Sequence, residues 1–436
     1  MPEAVTTRAC HRTRCANRAG GFGFALASDT RALGLAMIGV ALIILPWPSR
    51  AASTFGASVS TGVNYDSNVF DLQRGYSVPG TLDYQHSDTL FTYGAALDGN
   101  FQWSQESLFA KATTTQFQYQ HFTQLNHNEY DLDAGWNWTL GPLLNGTFEA
   151  ERDHTMVAFS NVNYAEYVLQ TDQHESGKLA LSVTPDWRLE GSGFYDSIVQ
   201  TFQNAPNIDL DESQEQIALR YLGVANLASG LSAAYTVGDY TGSSAALNPS
   251  FRQTSVALVA TYKAGGRSTF DGTLGYSDRT SSSALNAASG LTGQLDYADE
   301  ITGKTTIQVQ LSRIINNYVA NIGSEFDSIG TLDLRWQATY KLGLIGGYTW
   351  TYRELPGQGN APLGSNRLDH LQYASLKVDY EPRRWLSVKV YVDFQTRSSN
   401  FVGANFNATT YGIYFTIQRP DETTAPFVPN IPGQPM

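Results

Sequence analysis

The sequence predicts an all-β fold, a transmembrane antiparallel up-and-down β-barrel of about 18 strands, and three observations predict it. Segments of about ten residues alternate apolar and polar along the chain, the period of strands with two unlike faces. The connections between them alternate short and long, as the two rims of an outer-membrane barrel require. A leader with an export layout precedes them. Composition agrees: of 436 residues 42% are hydrophobic and only 16% charged, with 24 Tyr, 21 Phe and 39 Gly. That is too apolar for a disordered chain and too poor in charge for an ordinary soluble domain. A net charge of -12 argues against nucleic-acid binding, which recruits a surplus of Lys and Arg.

The first element is the leader. Ala32 to Pro46 is an uncharged apolar run preceded by Arg8, Arg12, Arg14, Arg18 and Arg31. It falls short of the roughly 20 residues a spanning helix needs, and reads as a secretory signal with an unusually long basic region. Ser49 and Ala51 supply the small residues of a cleavage site after Ala51, with Ala52 a near alternative, and residues 1–51 are expected to be a signal peptide. Both cysteines, Cys10 and Cys15, lie in it, so the exported chain has no thiol chemistry. Removing six arginines and two acids leaves 22 basic against 38 acidic residues, a net charge of -16.

The strands follow. Their cores are expected near 55–65, 89–101, 107–119, 129–140, 144–155, 168–183, 187–199, 213–224, 230–240, 251–263, 267–277, 290–299, 304–314, 327–340, 343–353, 368–380, 385–396 and 406–418. In the clearest of them Leu386, Val388, Val390, Val392 and Phe394 share one face, and Ser387, Lys389, Tyr391, Asp393 and Gln395 the other. Tight turns are expected at Ser104–Glu106, Gly141–Leu143, Pro185–Asp186, Ala228–Gly230, Gly265–Gly266, Thr302–Gly303, Lys341–Leu342 and Glu381–Arg384. Longer polar connections, among them Asp66–Ser87, Thr201–Glu212 and Leu355–Asn366, belong to the opposite rim. A soluble β-sandwich also alternates, but it has no need of charges in mid-strand, of aromatic ends on the apolar face, or of strictly alternating loop lengths.

The barrel is expected over 52–419. Its last strand ends in TYGIYFTI, where Gly412, Phe415 and Ile417 resemble the insertion signal read by the outer-membrane barrel assembly machinery. Residues 420–436 hold five prolines and cannot continue a central strand, which suits a periplasmic tail.

No catalytic chemistry stands out. His86, His121, His127, His154, His174 and His370 lack metal-ligand spacing, and no G-x-S-x-G, P-loop or paired-glycosidase pattern occurs. Neither a metal nor another cofactor is expected, and the chain does not read as an enzyme. Alternation instead assigns a lumen face carrying Asp131, Asp133, Glu149, Glu151, Arg188, Glu190, Arg220, Asp271, Asp333, Arg335, Lys377, Asp379, Lys389, Tyr391 and Asp393. Two readings stay open for it. Any water-filled barrel must be polar inside. The same residues also suit a carbohydrate path, with hydroxyls on charged groups and sugar faces on aromatic rings.

Four stretches together resemble the EpsL family of exopolysaccharide-operon outer-membrane barrels: NYDSNVF at Asn64–Phe70, the block from Tyr119 to Pro142, FRQTSVAL at Phe251–Leu258, and RSSNFVGANFNATTYGIYFTI at Arg397–Ile417. The resemblance spans essentially the whole exported chain and implies residence in the outer membrane of a Gram-negative bacterium. It implies a part in exopolysaccharide biosynthesis and export, with outer-membrane lipid, the polysaccharide and periplasmic export machinery as partners. The Pro-rich tail departs from the family's usual ending at the last strand. Three other classes compete. A diffusion porin would constrict its lumen with a long inward-folded loop, an enzyme would need a triad at its rim, and a structural barrel would need no open lumen.

Overall fold

The computed structural model describes residues 53–419 apart from 79–83, 162–166, 203–207, 242–249, 283–286, 318–323 and 357–365. The expected signal peptide with its Ala51 cleavage site, and the expected 420–436 tail, lie outside the described residues. The strands are β1 (Ser53–Asp66), β2 (Asp88–Trp103), β3 (Glu106–Tyr119), β4 (His127–Leu140), β5 (Leu144–Met156) and β6 (Val168–Thr184). Next come β7 (Trp187–Phe202), β8 (Ile208–Val224), β9 (Leu227–Thr241), β10 (Phe251–Ala264), β11 (Ser268–Ser281) and β12 (Ala288–Thr302). The ring is completed by β13 (Thr305–Asn317), β14 (Ser324–Thr339), β15 (Leu342–Leu355), β16 (Arg367–Arg383), β17 (Leu386–Ser399) and β18 (Phe406–Gln418).

Each strand pairs antiparallel with its sequence neighbours, and β18 pairs with β1, so the 18-stranded sheet closes on itself. Closure is obligatory in hydrocarbon, which offers an unpaired strand edge no hydrogen-bond partner. At the seam Asn64 stands opposite Gly412, and Gly62 opposite Tyr414. Both glycines are required by close approach. A Cβ on Gly62 would lie 2.4 Å from the Tyr414 ring, and one on Gly412 would lie 2.9 Å from the Tyr391 ring. The two tyrosines stack at 5.8 Å, and Tyr391 donates its hydroxyl hydrogen to Asn64 Oδ1 at 2.8 Å.

The alternation resolves into lipid and lumen faces. Val390 and Phe394 are 47% and 51% exposed on the outside of β17, while Lys389, Tyr391 and Asp393 are buried on the inside. Followed through the registers, the exposed large apolar side chains of the strands lie on the outer face, with Ile314 the exception among the described residues. A ring of 18 paired strands with an apolar exterior is an outer-membrane barrel. Phe415 and Ile417 of the expected insertion signal face outward, and Gly412 faces the seam.

The turn expected at Glu381–Arg384 is confined to Arg384–Trp385, because Glu381–Arg383 continue β16, and two further expectations are corrected. The turn expected at Ala228–Gly230 lies at Ala225–Asn226, with Asn226 in the left-handed region at φ 63°. Gly230 is inside β9, where a Cβ would meet the Leu219 carbonyl oxygen at 2.0 Å, so this glycine marks close strand approach and not a turn. The second correction concerns β8, which begins at Ile208 although Thr201–Glu212 reads as a loop. There Ile208 and Leu210 face inward and Asp209 and Asp211 outward, the reverse of the pattern lower on the same strand. Above the membrane the outer face meets water and the inner face packs, so amphipathicity inverts.

A charge on the lipid face should cost far more than one in the lumen. Val390→Arg is expected to destabilise the barrel by roughly 2–4 kcal/mol, whereas Glu151→Arg, exposed on the inner face of an acidic wall, should leave folding intact. Heat-modifiable gel mobility and urea unfolding in micelles check this; equal losses would reverse the assignment of faces.

Candidate functional site

The inner face holds two regions, a charged lumen and an apolar cap at the loop rim. Every residue expected to line the lumen lies on the inner face by register: Asp131, Asp133, Glu149, Glu151, Arg188 and Glu190 on β4, β5 and β7, and Arg220 and Asp271 on β8 and β11. The rest, Asp333, Arg335, Lys377, Asp379, Lys389, Tyr391 and Asp393, lie on β14, β16 and β17. Their surroundings differ. On β4–β6, Asp131, Asp153 and Asp172 stand side by side, and so do Asp133, Glu151 and His174. His174 hydrogen-bonds Asp196 on β7, and Lys111 pairs with Asp131 at 3.0 Å. Nearer the turn rim Glu190 bridges two guanidinium groups, Arg188 at 2.6 Å and Arg220 at 2.9 Å. Across the ring, on β14–β17, Lys377, Lys389 and Arg335 share one region with Asp379 and Asp333. Acids therefore dominate one wall, and mixed charge the other.

The β17 residues do not present themselves to a passing chain. Tyr391 is 4% exposed, Asp393 4% and Lys389 9%, because they lie against the wall around the seam glycines. Tyr391 is a structural ring, held by Asn64 and Tyr414.

The cap is built by connections following the odd strands: L1 (67–87), L2 (120–126) and L3 (157–167). Val69, Phe70 and Val78 of L1, Phe122 and Leu125 of L2, and Val157 and Phe159 of L3 form one cluster with Leu90, Phe117, Tyr119 and Val168 on the inner face of the strand ends. Phe70 is its hub, edge-on to Phe122 at 4.8 Å and 5.0 Å from Phe159. Polar side chains fix the loops that supply these rings. Asp88 accepts the backbone N–H of Phe122 at 2.8 Å and of His121 at 3.0 Å. Asn68 donates to the carbonyls of Leu72 and Asn407 and accepts the Leu72 N–H, stitching L1 to β18. Glu129 accepts the Met156 N–H at 2.9 Å beside buried His127, which stacks on Phe117.

L3 reaches furthest. It leaves β5, yet Asn161 accepts a hydrogen bond from Arg353 of β15 at 3.3 Å and the Ser160 carbonyl accepts one from Arg397 of β17. Those strands lie far around the ring from β5, so L3 crosses the mouth. Arg353 is held between Glu325 at 3.3 Å and Asp327 at 3.0 Å, and neighbouring Arg367 pairs with Asp369 at 2.6 Å. A second tie crosses from β8 to β13, where Asn317 donates to Glu212 at 3.0 Å and accepts from Arg279 at 2.7 Å. Beneath the L1–L3 contact lies a cavity of about 40 Å³ lined by Asp66, Asp71, Asp88 and Asp393. Burial, then the nearby Asp66 carboxylate, pushes Asp71 of L1 up to about 8 against the opposing pull of Arg397.

Sequence reasoning missed these latch residues, because Arg353, Arg397 and Asn161 become partners only when distant strands close a ring. Of the three, only Arg397 lies in one of the stretches singled out in the sequence. The stretches that carry the family resemblance meet in this region: Asn64, Asp66, Asn68 and Phe70 from the first, Phe122, Leu125 and His127 from the second, Arg397 and Phe406 from the last.

No protein-family model and no curated protein matches the chain. Solved structures similar to it include the siderophore receptor PirA from Pseudomonas aeruginosa, at 10% identity and TM-score 0.43, covering 85% of this chain and 81% of that one. PirA from Acinetobacter baumannii is similar at 7% identity and TM-score 0.43, covering 85% and 81%. OccAB4 from Acinetobacter baumannii is similar at 9% identity and TM-score 0.45, covering 84% of this chain and 99% of that one.

Proposed function

We propose that this protein is a gated outer-membrane channel of the EpsL family through which an exopolysaccharide leaves the cell, delivered by a separate periplasmic export system. The observation that carries the reading is a charge-lined lumen whose outer mouth is covered by loops. A sheet of 18 strands encloses enough space for an aqueous channel. A pore wide enough for a sugar polymer would leak when idle, and loops can move aside without breaking the sheet. The acidic wall of β4–β6 offers acceptors to sugar hydroxyls along the path. We place transport, and not catalysis, in this lumen.

One observation favours a second reading, a diffusion porin: L3 folds inward and crosses the mouth, as a constriction loop does. Gene deletion separates the two. Loss of surface polymer with periplasmic accumulation is expected for the exit channel; normal surface polysaccharide would overturn it and leave the porin reading.

Phe159→Ala, Asn161→Ala and Arg397→Ala combined remove the packing of L3 and both ties that hold it across the mouth. In planar bilayers this variant is expected to conduct several-fold more than the parent, with an unchanged heat-modifiable gel shift. Equal conductance would show that L3 is no barrier.

The cap should also respond to pH through Asp71, which shares its surroundings with Asp66, Asp88, Asp393 and Arg397. Its value in the folded protein is raised, so the stability it lends is fully present below the ordinary carboxylate value and is lost as pH rises through about 8. Conductance is therefore expected to rise between pH 5 and about pH 9. Asp71→Asn, neutral throughout, should hold it at the low-pH level.

A further inference from the structure

The outside of the barrel carries a feature that the lumen does not explain. Across β10–β15 the lipid face is hollowed into an apolar groove of about 650 Å³. Its floor is made of residues without side chains, Gly272, Gly293 and Gly330, and its walls include Leu274, Leu295, Leu311 and Trp350. Neighbouring outward positions of the barrel carry large apolar groups, so these glycines leave an open depression in a surface otherwise filled by side chains. Hydrocarbon surrounds this face, so an acyl chain is the matter at hand to fill it.

One residue on the groove breaks the apolar pattern. Arg313 of β13 stands directly opposite Gly293 and points outward, exposed, beside the lipid stripe of Ile307, Val309 and Leu311. Its Nη1 donates to Ser328 Oγ at 2.9 Å and its guanidinium lies 5.1 Å from the centre of the Phe326 ring. Among the described residues no carboxylate stands within ion-pair distance of it. An arginine among lipid chains is costly at the midplane and nearly neutral at the interface. Arg313 lies toward the loop end of β13 (Thr305–Asn317), which is the outer-leaflet end of a span of roughly 9–11 residues. A guanidinium there, held flat by a ring and a hydroxyl, presents its remaining N–H groups to a phosphate.

We propose that β10–β15 form a binding site for one phosphorylated glycolipid of the outer leaflet, with an acyl chain in the glycine-floored groove and a phosphate on Arg313. Charge complementarity selects this occupant over a second copy of the chain. A two-fold interface through the groove brings the same patch of both copies together, and so sets Arg313 against its twin. The site is independent of what passes through the lumen.

The test is native mass spectrometry of the full-length barrel in detergent, with purified bis-phosphorylated hexa-acyl lipid A and its dephosphorylated form as probes. The parent protein is expected to retain one phosphorylated lipid and to lose it at least tenfold more readily when the lipid is dephosphorylated. Arg313→Gln should lose the same preference and Arg313→Lys should keep part of it. Gly330→Leu, whose Cβ would meet only Leu311 Cδ2 at 3.4 Å, should fill the floor and weaken both lipids alike. Gel mobility confirms that each variant is folded. Equal retention of both lipids by the parent, or undiminished binding by Arg313→Gln, would overturn the site, and a lipid-free dimer broken by Gly330→Leu would give the groove to a second copy.

Discussion

Lipid has no hydrogen bond to offer a strand edge, and the rest of this structure depends on that deficiency. It demands that β1 find β18, although most of the chain lies between them, and it leaves the seam no freedom in register. The seam meets the demand with small and large residues in alternation. Gly62 and Gly412 let Tyr414 and Tyr391 lie flat against the wall, and Asn64 joins them by a hydrogen bond. Aromatic rings covering glycines keep a register that hydrogen bonds alone would allow to slip.

Closure also decides where loops can go. A ring has two mouths, and at the loop rim the inner face changes character from charged to apolar. Phe117, Tyr119, Leu90 and Val168 point inward there and receive Phe70, Phe122 and Phe159 from three loops. The same surface that must be polar in mid-membrane, to hold water, becomes a small hydrophobic core above it. The loops are held at this mouth by the burial of a few rings and by the contacts of Arg353 and Arg397 with L3.

Charge is arranged with the same economy. Guanidinium groups at the mouth are paired: half-buried Arg353 sits between Glu325 and Asp327, and buried Arg367 is bidentate with Asp369. Taking them from water is tolerable because each carboxylate is matched in geometry, and removal of one partner would leave a buried charge. The acidic wall of β4–β6 is different, since there carboxylates face carboxylates, Asp131 opposite Asp153 and Asp153 opposite Asp172.

By itself the sequence determined the strand count, the sense of the faces within the membrane span and the sorting of connections into tight turns and long loops. Those properties follow from a period of two and from turn chemistry, which are local. Leu386 to Gln395 is legible because each residue reports its own side of the wall, and so all the residues expected on the lumen face are found there. Tertiary structure alone decided which of them meet the lumen: Tyr391 reads as a ring for stacking sugars, but Gly412 of β18 lets it lie flat against the wall. Likewise β8 above the membrane was illegible, because inversion of its faces reflects where the bilayer ends, which no residue of Ile208–Glu212 encodes locally. The latch of L3 was beyond reach for the same reason. Asn161 and Arg353 are 192 residues apart, and only a closed ring of hydrogen bonds brings them within reach of each other.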